Sequence, residues 1–159
     1  MKNGIRNLYL AHVYGLTEVI LLSAYFIRVL KINQIIFKSV VIVYLIAYVV
    51  DSFLITGYNS FNGVLRLLES FLFMAFCLSY YFKLYSQENI FFLERSMSFW
   101  IVTAVFTFFC GAFFSFLLGD IILSSSSSWA FHNMANVLKN IIFAIGFFVG
   151  AKKNNYQNG

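Results

Sequence analysis

Long apolar runs alternate with short polar breaks along the whole chain, and the runs are the length of membrane helices. A helix rises about 1.5 Å per residue and a bilayer core is about 30 Å thick, so roughly 20 apolar residues suffice to cross it. Five runs meet that length. They predict helices over residues 8–30, 35–55, 61–85, 96–118 and 129–150, all spanning. The first follows a short basic tail and resembles a signal sequence. It reaches Leu30, contains Glu18 and ends at no small-residue cleavage pattern, so it reads as the first span. The series Val40-Val41-Ile42-Val43 would suit a buried strand, but its length and neighbours favour a helix.

The breaks between runs read as loops. Thr56-Gly57-Tyr58-Asn59-Ser60 is a turn by its Gly and Asn, and Lys83, Glu88, Glu94 and Arg95 mark a charged aqueous segment. Asp120 and the run Ser124–Ser128 read as a short low-complexity loop facing outside. The fold class expected is therefore all-α: one integral membrane bundle of five transmembrane helices over residues 1–159, with no separate soluble domain.

Composition agrees. Hydrophobic residues make up 61% of the 159, charged residues 11%, and the mean hydropathy is +0.82. A soluble domain carries about 25% charged residues, so an ordinary globular protein is excluded. There is no Pro, which removes the commonest source of helix kinks. Cys77 and Cys110 fall inside apolar runs, where small buried residues are expected rather than a disulfide. No CxxC, HExxH, P-loop or GxSxG pattern occurs, so no enzyme is expected, nor a cofactor.

The net charge of +5 reads as topology, not nucleic-acid binding. Arg28, Lys31, Lys38, Lys83, Arg95, Lys152 and Lys153 share one side of the five-helix arrangement; Lys2, Arg6 and Arg66 lie on the other. The excess of basic residues marks the cytoplasmic side, placing the C-terminus in the cytoplasm and the N-terminus outside.

Candidate chemistry lies in the polar residues within the runs. His132, Asn136, Lys139/Asn140 and Phe143 form one stripe of the last helix at 3.6 residues per turn. A cation at the centre of a membrane helix costs about 2.5–3.5 kcal/mol on insertion scales, so Lys139 requires a partner or a wet cavity. Glu18 is closest to it in depth, and Glu69 is the second choice. Asn62, Arg66, Glu69, Phe73, Phe76/Cys77 and Tyr80 trace a stripe on the third helix; Tyr14, Glu18, Leu21/Leu22 and Tyr25 trace one on the first. Asp51, Arg66, Glu69 and His132 all fall in the outer half. The expected cluster is thus Glu18, Asp51, Arg66, Glu69, His132, Asn136, Lys139 and Asn140.

Three roles compete for it: helix-to-helix glue, a ligand or ion pocket opening outward, and a proton relay. Polar contacts between membrane helices average only about 0.6 kcal/mol, and Arg66 can pair with Glu69 three residues on. His132 has no second His or Cys at ligand spacing, so no metal is expected there. A repeat is also faintly visible: Glu18 before Tyr25-Phe26-Ile27-Arg28 echoes Glu69 before Tyr81-Phe82-Lys83, with spacings that differ by five residues.

From Glu69-Ser70 through Tyr80-Tyr81-Phe82-Lys83-Leu84, Phe99-Trp100, Gly111, Phe116-Leu117, Trp129, His132, Asn136, Asn140 and Ala144-Ile145-Gly146-Phe147, the chain resembles a family of small, largely uncharacterised bacterial membrane proteins. That resemblance implies a polytopic fold in the cell inner membrane, an association with membrane signalling, and no defined substrate. The function expected is a non-enzymatic sensory or partner-binding module, the alternative a small transporter or channel subunit. The lipid bilayer is the first partner; a membrane protein or a second copy of the chain is the next.

Overall fold

The computed structural model describes residues 8–31, 33–51, 63–86, 92–119 and 125–157. Five α-helices account for almost all of them: α1 Leu8–Leu30, α2 Gln34–Val50, α3 Gly63–Tyr85, α4 Met97–Gly119 and α5 Ser125–Gln157, with a short 3₁₀ turn at Leu93–Arg95 before α4. Four are long and apolar enough to cross a membrane, over Val13–Leu30, Leu65–Tyr85, Met97–Ser115 and Ala130–Lys152.

α2 is described over 17 residues, about 25 Å, against a hydrocarbon core of about 30 Å. Residues 52–55, expected to complete it, lie outside the described residues. Hydroxyls within the helices are satisfied locally: Thr17, Ser39, Ser70, Ser79, Thr103, Thr107 and Ser115 each donate to the carbonyl four residues back, at 2.7–2.9 Å. A serine or threonine so bonded costs an apolar span little.

The chain divides into two compact units, residues 1–65 and 66–159. In the first, Lys31 closes α1 in the left-handed conformation (φ 49), the usual way to end a helix without continuing it. Asn33 then caps α2, its side-chain oxygen accepting from the Ile35 N–H at 3.1 Å. Val19, Ser23, Phe26 and Leu30 form the buried stripe of α1. The polar face read from the sequence runs beside that stripe instead of along it: Glu18 and Tyr25 are half-buried, Tyr14 and Leu21 exposed.

The second unit is an antiparallel three-helix array with α4 in the middle. Val102, Ala104, Val105, Phe108, Phe109, Ala112 and Ser115 are all buried, so α4 is covered on two flanks, as a helix apolar all round requires. On the α5 flank small residues bring backbones together. A Cβ at Gly111 would collide with the Cβ of Ala135, and one at Gly146 would meet that of Trp100 at 2.9 Å. Gly146 and Gly150, four apart, form a GxxxG pair seated on Trp100 and Met97.

On the α3 flank large side chains do the joining. Phe73 stacks on Phe109 with centroids 4.8 Å apart, and the Tyr81 hydroxyl donates to Thr103 Oγ1 at 3.0 Å. Because α3 and α5 both run antiparallel to α4, they start at the same end of the unit.

Two boundaries in α5 correct the sequence reading. Ser125–Ser128, expected as loop, is its first turn, and the helix continues past Gly150 to Gln157. Serine satisfies exposed N–H groups where a helix begins, so a serine run can start a helix as readily as break one. At 33 residues α5 is about 50 Å long and extends beyond its span.

Candidate functional site

Arg66, Glu69 and His132 lie toward the end of the second unit where α3 and α5 begin, while Lys83, Glu94, Arg95 and Lys152 lie at the other end. Arg66 and Glu69 lie in the first turns of α3, three apart, which brings both to one face. Their side chains form an ion pair, Arg66 Nη1 to Glu69 Oε2 at 2.9 Å. The glutamate is 1% exposed and the arginine 18%. Ser70 is buried beside them, bonded to the Arg66 carbonyl. The local pairing, one of the alternatives read from the sequence, is therefore present.

α5 brings His132 and Lys139 to α4. They are seven apart, two helical turns, so both reach the same neighbour. That neighbour is Phe108: its ring meets the His132 imidazole edge-on at 5.6 Å, and the Lys139 Nζ lies 4.0 Å from its centroid. A cation over a ring face is worth about 2 kcal/mol or more once water is removed, which offsets much of the cost of placing Lys139 in mid-span. An aromatic face was not among the expectations for this lysine, which were a carboxylate partner or a wet cavity. Glu18 belongs to the first unit, so its expected pairing with Lys139 rests on the sequence alone.

Both Arg66 and Lys139 lie within electrostatic range of the His132 ring. The site thus combines a buried ion pair on α3 with an imidazole and an ammonium on α5. A chain of rings joins the two sides: Phe73 on Phe109, Phe109 edge-on to Phe108 at 5.2 Å, and Phe108 against His132 and Lys139.

Of the other expected members, Asn136 is half-buried on the α4-facing stripe and Asn140 is exposed. Asp51 is half-buried at the C-terminal end of α2, where its N–H faces the carbonyls of both Ala47 and Tyr48. It lies in the first unit with Glu18. Phe108 and Phe109 were missed because apolar rings in a chain with 21 Phe carry no individual signal. Only their spacing opposite a lysine could have singled one out. Among the described residues no three His, Cys, Asp or Glu side chains come together as a metal centre.

With this geometry as its own evidence, the chain matches no family model, no curated protein and no solved structure.

Proposed function

We propose that the chain is a non-enzymatic, multi-pass protein of the cell inner membrane, a sensory or partner-binding module whose polar cluster opens outward. With α2 as a fifth crossing, the N-terminus lies outside and the C-terminus in the cytoplasm. A charged solute or a polar group of a partner engages the cluster from outside; a membrane protein or a second copy of the chain reads the resulting change in helix packing. The observation that carries this reading is the gathering of Arg66, Glu69 and His132 at the end where α3 and α5 both begin. A carboxylate buried to 1% exposure within an apolar span is costly to keep, and ionisable groups so placed mark a functional site by default.

A small transporter or channel subunit is the second reading. Lys139 favours it, lying well inside the span Ala130–Lys152. One experiment separates the two. Spin labels at the starts of α3 and α5, in chains embedded in lipid vesicles, report separation while small carboxylates, phosphates and amines are added outside. A sensory module changes the label separation without solute entry, and Arg66→Met abolishes the change. Entry of a solute into the vesicles favours the transporter. No response and no entry with any of the three classes leaves binding of a protein partner as the module's task, read by crosslinking from the same positions.

A further inference from the structure

Away from the charged end, the α3–α4 seam holds three sulfur atoms. Met74 and Cys77 are three apart on α3 and so share a face. Cys110 comes from α4, its Sγ 3.5 Å from the Met74 Sδ. Cys77 is fully buried and its thiol points at α4, donating to the Val102 carbonyl at 3.7 Å. The two cysteines lie within electrostatic range of each other.

We infer that Met74, Cys77 and Cys110 form a binding site for a soft monovalent metal ion of the Cu(I) class. Two thiols and a thioether are the donor set that soft ions select, whereas Mg, Ca and Mn select carboxylate, carbonyl and water oxygens. Two sulfurs that each lie about 2.3 Å from one ion are about 3.5–4 Å apart at angles of about 100–120°, so Met74 and Cys110 already stand at ligand separation. Cys77, on the same face of α3 as Met74, supplies the third sulfur by leaving its weak bond to the Val102 carbonyl.

Charge also favours a monovalent ion. These residues lie inside the spans Leu65–Tyr85 and Met97–Ser115, where net charge is costly. A Cu(I) ion that displaces one thiol proton to water leaves a neutral unit: one thiolate, one thiol and one thioether on one cation. A divalent ion would need both protons removed to reach the same neutrality. The stacked Phe73–Phe109 pair stands beside the site and Tyr81, edge-on to Phe106 at 5.9 Å, lies a turn further along, so the surroundings are apolar and aromatic.

The test uses the full chain in lipid nanodiscs without oxygen, titrated with Cu(I) held by a competing chromophoric chelator. One Cu(I) per chain is expected, with ultraviolet thiolate-to-copper absorption. Loss of even an outer-shell partner costs a metal site about 10–100-fold in affinity, so Cys77→Ser and Cys110→Ser should each weaken binding about tenfold or more, and the double variant should abolish it. Met74→Leu, which keeps the volume, should weaken it as well. In the unaltered chain Cu(I) should shield both cysteines from a small membrane-permeable thiol reagent, a readout that needs no variant to fold. The proposal is overturned if the unaltered chain retains no Cu(I), if retention survives in the double variant, or if both cysteines react equally fast with and without the metal.

Discussion

The two flanks of α4 are joined in opposite ways. Toward α5 the contact is made by what is missing: Gly111, Gly146, Gly150 and Ala135 let backbones approach until a single added carbon would collide. Toward α3 it is made by what is present: stacked rings, a tyrosine–threonine bond and sulfur contacts that hold the helices at side-chain length. Lipid tails are as apolar as leucine, so burial alone does not drive membrane helices together. Close packing and specific side-chain contacts remain, and α4 uses one on each flank. Between the glycine contacts the α5 flank still seats the Phe108 ring with His132 and Lys139, while the sulfurs and the Arg66–Glu69 pair belong to the α3 side.

The largest effect is expected at the Arg66–Glu69 pair. Arg66→Met strips the Glu69 carboxylate, 1% exposed, of its guanidinium at 2.9 Å. Leaving one charge of a buried pair behind costs about 3–5 kcal/mol. Thermal unfolding in detergent should show this loss, and Arg66→Met combined with Glu69→Gln should recover most of it. Simple additivity would mean the pair contributes nothing of its own.

The glycine flank comes next. Gly111→Ala drives its Cβ into that of Ala135, and overpacking of this kind costs about 1–3 kcal/mol. Ala135→Gly, by removing the opposing carbon, should restore the stability of the Gly111→Ala chain. If Gly111→Ala is neutral by itself, α4 and α5 are not held at backbone distance. The smallest change should come from Tyr81→Phe, which deletes one hydrogen bond to Thr103. Such bonds between membrane helices average about 0.6 kcal/mol, so its unfolding midpoint should fall only slightly.

How much of this the sequence disclosed varies from helix to helix. α1 and α3 were legible nearly to the residue, because unbroken apolar runs end at Arg28–Lys31 and at Lys83. The α3 stripe of Arg66, Glu69, Phe73, Cys77 and Tyr80 was legible too, since a polar pair at helical spacing stands out against leucine and phenylalanine. α4 read as featureless for the reason that makes it central: a helix covered on two sides has no polar face to betray its orientation. The ends of α5 were hidden by serine and asparagine, which favour loops and helix starts alike. Gly146 and Gly150, four apart in the last apolar run, carried a readable GxxxG signal of close packing. Phe108 under Lys139 was not readable, because which ring faces a cation depends on how α4 turns against α5.

The account's central claim is that four of these helices cross the bilayer, and thiol labelling in intact membranes tests it most directly. In a chain with Cys77 and Cys110 replaced by Ser, single cysteines are placed at Leu22, Ala75, Phe106 and Ala144, each within one of the four spans. Val43, in the shorter apolar stretch Lys38–Val50, serves as the fifth position, and Ser86, an exposed residue past the end of α3, as the control. A charged maleimide with access to both faces of the membrane should label Ser86 at once and leave the four mid-span positions unlabelled until the protein is denatured. The result at Val43 decides whether α2 is shielded by lipid as well. Rapid labelling of Phe106 or Ala144 in the intact membrane would contradict the account.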